Sequence, residues 1–296
     1  MAVATTGSTV PRRQLGRYLR GAREQARMTV RAAAKALEWS EAKMWRIETG
    51  MVPLRSHDVE AMCRTYGASA ELTEALTALA RETKARGWWH AYGDTIPRWF
   101  NIFVGLEEAA TSLQCYEPEL VPGLLQTADY ARTIIRAIEP DLDLVEVDRR
   151  VEFRMARQAL LTRVTAPPAL TAVLNEAVIR RPLGEPWLMA AQYRKLAELS
   201  ELPHVAVRIL PIVAGFHPGV QSGSFVILRF PENGDGRETE PPTVYVQGFT
   251  GALYLDQPDE IKRYDRAFDR LVAATADDSG AKSREILWEA AREVTG

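Results

Sequence analysis

The stretch "MTVRAAAKALEWSEAKMWRIETG", residues 28 to 50, decides the fold of the amino-terminal part of this chain. Thr29 stands as an N-cap before "VRAAAKALE", whose run of small residues allows close helix packing. Ser40 caps a second short segment, "EAKMWRIET", and Gly50 ends it. Helical spacing turns Met44 and Ile47 inward and places Lys43 and Arg46 on the opposite side. Two short helices joined by a three- or four-residue turn, the second capped by serine and basic outside, predict a helix-turn-helix unit.

Working outward, "RRQLGRYLRGAREQARM" sets Leu15, Leu19, Ala22 and Ala26 on one apolar stripe with arginines around it. On the other side, "SHDVEAMCRTYG" turns Val59, Met62, Cys63 and Tyr66 inward, and "AELTEALTALARETKA" does the same with Leu72, Leu76 and Leu79. The pattern predicts an all-α bundle over residues 11–86, followed by a second domain over 87–296.

Charge separates the two parts. The formal net charge is −2, yet up to Leu54 ten basic residues face only Glu24, Glu38, Glu41 and Glu48. A basic end on a near-neutral chain predicts a local anionic partner, with double-stranded DNA ahead of an anionic membrane surface. A solvated basic helix face is the plainer alternative.

Other classes are excluded by what is missing from the sequence. The chain has 296 residues without an uninterrupted apolar run of membrane-spanning length or a signal-peptide core, which predicts a soluble cytoplasmic protein with no membrane partner. Cys63 and Cys115 are too few for a disulfide framework and are expected to be reduced and buried. His57, His90, His204 and His217 sit at no metal-ligand spacing, so neither metal nor cofactor is expected.

Residues 12–70 resemble the phage-repressor-like (XRE) helix-turn-helix family, through the small Ala34, the inward Met44 and Ile47 and the closing "IETG". The resemblance implies that Glu41, Ala42 and Arg46 meet base edges, with Ser40 at the helix start and Lys43 and Arg31 near the phosphates. Arginine suits base reading because its fork spans guanine O6 and N7. A surface ion pair from Arg46 to Glu41 or Glu48 is the alternative, and Trp45 is expected to pack on the following helix, ahead of stacking near DNA or meeting a partner. Two positions depart from the family: Val30 where a glutamine usually meets phosphate, and Glu38 where the turn usually has glycine. A non-glycine residue at positive φ costs on the order of 1 kcal/mol, so a slightly reshaped turn is expected.

Beyond residue 87, "RGWWHAYGDTIPRWF" concentrates Trp88, Trp89, Trp99 and Phe100 around glycine and proline breakers. Helices are expected in "GLEEAATSLQCYE", "LLQTADYARTIIRAI" and "LVEVDRRVEFRMARQALLTR". After Pro167 and Pro168 come strand-like segments, "ALTAVLNEAVI", "HVAVRILPI", "GSFVILRF" and "PTVYVQGF", with the helix "WLMAAQYRKLAEL" between the first two. "DEIKRYDRAFDRLVAAT" and "SREILWEAAREV" are helical again. The order predicts a mixed α+β domain around a small, mainly antiparallel sheet, giving an α+β chain overall.

This second part resembles the DUF5753 family, which follows XRE helix-turn-helix domains in actinobacterial regulators. The residues that carry it are "RGWWHAYGDTIPRWFNIFVGLEEAATSLQCYEPELVPGLLQTADYAR", "RRVEFRMARQALLTR", "AVLNEAVIRRPLG", "ELPHVAVRILP", "GFHPG", "SFVILRF" and "GALYLDQPDEIKRYDRAFDRL". Gln247 stands where relatives tend to carry an acid. The resemblance implies a transcriptional regulator, sometimes paired with a small DUF397-like partner protein; the alternative is an antitoxin-like protein-interaction module in which partner binding is the main role.

For the second domain two roles are open: sensing a small-molecule effector, through a pocket near Trp88 and Trp89, or docking a small protein by strand addition or in an apolar groove. Glu176, Arg180 and Arg181 are candidates for a polar ligand or partner tail, with a surface ion-pair network the plainer reading. His217 lies in "GFHPGVQSG", glycine-rich without a P-loop lysine and read as a turn or lid. Neither His204 nor His217 forms a catalytic motif with Cys115 or a serine, so no enzyme is expected. "VPGLLQT" is a turn followed by a helix cap. A homodimer is expected because one recognition helix covers only a few base pairs, with the Trp-rich junction and the terminal helices as candidate surfaces.

Overall fold

A computed structural model describes residues 9–83, 88–92, 95–164, 166–232, 238–275 and 280–294. The chain divides into two compact units. The first gathers the residues up to Ala91 with Phe100–Ala109 and Glu232–Glu240, and the second holds Tyr92–Trp99, Ala110–Pro231 and Pro241–Gly296. The expected boundary between residues 86 and 87 lies outside the described residues.

The first unit is built on α1 (Thr9–Gln25), α2 (Val30–Ala36), α3 (Glu41–Glu48), α4 (Ser56–Tyr66) and α5 (Ala70–Glu82). The caps act as their residue types require. Thr29 Oγ1 accepts from the Ala32 N–H and Ser40 Oγ from the Lys43 N–H, each at 3.1 Å, and Ser69 Oγ from Leu72 N–H at 3.2 Å. Leu15, Leu19, Ala33, Ala34, Met44, Ile47, Val59, Met62 and Cys63 form one buried cluster, which the helical periodicity foretells. Gly16 lets α1 lie against α3, because a Cβ there would come within 2.6 Å of the Ile47 carbonyl oxygen.

Arginines on α1 depart from the expected solvated ring. Arg13 and Arg23 are buried. Arg13 Nε and Arg17 Nη1 both donate to Glu240 Oε1 at 2.6 Å, and Arg17 Nη2 donates to Oε2 at 2.9 Å. Glu240 itself is fully buried. One carboxylate between two guanidiniums meets the requirement that buried charge be paired.

The 3-10 turn Trp88–Tyr92 and α6 (Arg98–Ala109) follow. Trp89 is buried, and a Cβ on Gly105 would overlap Thr9 Oγ1 and lie 3.0 Å from the Trp89 ring, so the glycine makes room first for Thr9 and then for the indole.

The second unit is organised by a six-stranded sheet of order β3-β2-β1-β4-β5-β6. Its elements are β1 (Ser112–Glu117), α7 (Ala128–Ile138), α8 (Leu144–Arg157), α9 (Ala159–Thr162), β2 (Ala169–Asn175), α10 (Ala177–Arg180), α11 (Pro186–Leu199), β3 (Val205–Leu210), α12 (Gly219–Ser222), β4 (Phe225–Arg229), β5 (Thr243–Gln247), β6 (Ala252–Leu255), α13 (Pro258–Ala273) and α14 (Ala281–Glu293). β1, β2 and β3 run parallel, in the register Tyr116 to Val173 and Asn175 to Leu210, so each connection crosses over through helices. β4, β5 and β6 continue antiparallel from β1. Antiparallel pairs outnumber parallel ones, and the fold class is the expected α+β.

Two expectations are corrected. "GLEEAATSLQCYE" is not one helix: α6 stops at Ala109 and Ser112–Glu117 is the central strand of the sheet. "ALTAVLNEAVI" is a strand only as far as Asn175, whose side-chain oxygen accepts from the Ala177 N–H at 2.9 Å and starts the short α10.

One face of the sheet presents Tyr116, Val173, Phe225, Ile227 and Val244 to Ile261, Phe268 and Leu271 of α13. The outer edge of β3 is covered where Ser283 Oγ, on α14, accepts from the Ile209 N–H at 3.0 Å.

Candidate nucleic-acid interface

The exposed side of α3 consists of Glu41, Ala42, Trp45 and Arg46, positions that fall on one helical face opposite Met44 and Ile47. Arg46 is exposed, and its Nε donates to the Ala42 carbonyl at 3.2 Å. Among the described residues no carboxylate pairs with it; Glu48, one expected alternative partner, is buried and takes both its hydrogen bonds from Arg23. Trp45 does not pack on α4 as expected: it is 54% exposed, on the same face as Arg46. The register explains this, since Met44 and Ile47 already fill the inward positions.

Ser40 holds the α3 N-terminus as predicted. Lys43 is half-buried, with Nζ 3.3 Å from the centroid of the Trp39 ring, a cation–π contact that draws the ammonium onto the turn. Arg31 is exposed on α2, and Lys35, four residues on, shares its exposed face. The sequence reading missed Lys35, although the i, i+4 spacing from Arg31 was the signal that placed it there. Val30 packs partly against the core, so the apolar residue strengthens the bundle where the family's glutamine would meet phosphate.

Glu38 adopts φ 57°, the left-handed turn conformation that favours glycine. Hydrogen bonds from Glu38 N–H to the Lys35 carbonyl at 3.2 Å and from Trp39 N–H to the Ala34 carbonyl at 2.8 Å close it. The turn is therefore not reshaped; the left-handed geometry is kept and the strain is held on Glu38.

The remaining candidates do not converge on one site. Trp88 donates to Glu108 Oε2 at 3.3 Å and meets Trp89 edge-on at 6.1 Å, and Trp89 fills the interior of the first unit. Glu176 lies just beyond the carboxyl end of β2. It accepts from the Ile212 N–H at 2.9 Å and from Arg180 Nε at 3.1 Å, and the Ile212 bond leads in holding its carboxyl below the ordinary range. Arg180 also lies 3.7 Å from Glu293, and Arg181 pairs with Glu119, so this is the surface ion-pair network. His217 is buried edge-on against Tyr116 at 5.9 Å, and burial lowers its pKa. Gln247 accepts from the Tyr245 hydroxyl at 3.1 Å.

Glu117, Asn175 and Leu210 end the three parallel strands, and the segments that follow carry Gly123, Glu176, Arg180 and His217. Ligands of parallel sheets characteristically bind beyond these carboxyl ends.

Residues 100–288 match the family described as a domain of unknown function, DUF5753. The chain belongs to the DUF5753 family. Ahead of the DUF5753 match, residues 14–76 match a helix-turn-helix domain, the segment that holds α2, α3 and their turn. No curated protein and no solved structure matches the chain. Among the described residues no helix is long and apolar enough to cross a membrane, and no histidine, cysteine or carboxylate group has the clustering that holds a metal.

Proposed function

We propose that the chain is a sequence-specific DNA-binding transcriptional regulator of XRE type, non-catalytic, whose DUF5753 domain senses a small ligand. The observation that carries the DNA half is the outward α3 face with an unpaired Arg46, flanked by Arg31 and Lys35 on α2. Arg46 and Ala42 meet base edges in the major groove, while Arg31 and Lys35 meet phosphates. The protein acts in the cytoplasm as a homodimer, which doubles the site at a spacing of about 34 Å.

A second reading gives the DUF5753 domain a small partner protein, of the DUF397-like kind, in place of a small ligand. The exposed Ile212, Val213, Phe216 and Val220, all in the connection between β3 and β4, favour it.

Titration of the full chain onto duplex DNA at two salt concentrations tests the DNA half. A log–log salt slope of several units with preference for one sequence supports it. Absence of binding to any duplex contradicts it.

A further inference from the structure

Gln126, on the connection leaving β1, is gripped by two cations from different helices. Arg154 Nη1, on α8, donates to its side-chain oxygen at 2.7 Å, and Lys195 Nζ, on α11, donates to its carbonyl oxygen at 2.8 Å. Lys195 also donates to Gln158 Oε1 at 2.7 Å. Gln158 Nε2 in turn donates to the carbonyls of Gly123 and Gln126, at 3.0 and 2.8 Å.

Every acceptor in this network is a neutral amide oxygen. Arg154 spends one of its five N–H donors, and the charges nearest to it are Arg157 and Arg150. Enclosure first, and then these like charges, pull its pKa down to about 10, and enclosure lowers that of Lys195 against the opposing pull of the Glu198 charge. Solvent still reaches Arg154, and Gly123 leaves the approach beside it without a side chain. Among the described residues no carboxylate pairs with Arg154, and such charge in a largely enclosed site favours an anion from solution.

We infer that Arg154 and Lys195 form a binding site for a compact oxyanion, the carboxylate or phosphate group of a small ligand. The guanidinium fork takes two oxygens, and the ammonium supplies a point charge beside it. The amide oxygens of Gln126 and Gln158 hold the two cations apart until a ligand oxygen replaces them. The inference deepens the ligand-sensing reading and rests on it only for the consequence at DNA.

The test is calorimetric titration of the full chain with inorganic phosphate and with succinate, at ionic strength matched by chloride. Saturable heat with either anion, weakened at least about tenfold in both Arg154→Gln and Lys195→Gln, is the expected result. Phosphate alone or succinate alone identifies which head group the site takes. Should either variant fail to fold, mapping of an arginine-selective dicarbonyl label on the wild-type chain replaces it, with phosphate or succinate expected to protect Arg154. No saturable heat, unchanged binding in both variants, or unprotected Arg154 overturns the site. Parallel anisotropy with DNA separates the two readings: oxyanion binding without any change in DNA affinity keeps the site and contradicts sensing.

Discussion

Arg23 on α1 holds Glu48 on α3 through two hydrogen bonds, Nε to Oε1 at 2.7 Å and Nη2 to Oε2 at 2.9 Å, with both side chains buried. The pair fixes α3 against the bundle, and Glu48 holds the Arg23 pKa above its ordinary value. Removing Glu48 leaves the buried Arg23 with only the exposed Glu24 at 3.6 Å and the Met28 carbonyl at 2.8 Å, so Glu48→Leu is expected to lower stability by about 3 kcal/mol. The double change Arg23→Met with Glu48→Leu recovers most of that loss. Urea denaturation of the wild type and the two variants checks this, and a double variant no better than the single one contradicts it.

The turn offers a gain in stability. Glu38 sits at φ 57°, so Glu38→Gly relieves left-handed strain and stabilises the first unit by about 1 kcal/mol. The midpoint of denaturation rises while DNA affinity stays constant, since Glu38 is not on the α3 face. A lowered midpoint would mean that the turn is not strained.

Glu240 carries the charge balance of Arg13 and Arg17. Glu240→Gln keeps the shape and removes the charge, at an expected loss of about 3 kcal/mol. The melting temperature reads this directly, and an unchanged melting temperature would show that the two arginines find solvent.

Glu117 ends β1 opposite Leu174, and burial pushes its carboxyl up to about 8 from a starting value of 4.5. Between those two values the folded chain holds a proton that the unfolded chain has released. The stability from this proton is therefore fully present below pH 4.5 and is lost as pH rises towards 8. Glu117→Gln flattens that part of the pH profile and raises stability above pH 8 by at least about 1 kcal/mol. Denaturation at pH 6 and pH 8.5 measures it, and parallel profiles would refute it.

The helix-turn-helix was legible because its signals are local: Thr29 and Ser40 cap, Ala33 and Ala34 admit a neighbour, and Met44 and Ile47 repeat at helical spacing. β1 was not, because Ser112–Glu117 follows a helix directly and its short alternation around Leu113 and Cys115 continues the helical apolar pattern before it. The buried arginines were illegible for a different reason. Arg13 meets Glu240 across 227 positions, and no periodicity in α1 separates an arginine that finds such a partner from one left in water. Trp45 shows the converse: its aromatic character suggested packing, while the phase of Met44 and Ile47 places it outside.

The most direct test of the account is the discrimination between the DNA upstream of the protein's own gene and shuffled DNA, measured by fluorescence anisotropy for wild type and Arg46→Ala. The wild type is expected to prefer its own upstream region by at least about a thousandfold. Arg46→Ala is expected to lower that ratio by about ten- to a hundredfold, with binding to shuffled DNA little changed. Full discrimination in Arg46→Ala, or equal binding of both DNAs by the wild type, would contradict base reading from the exposed face of α3.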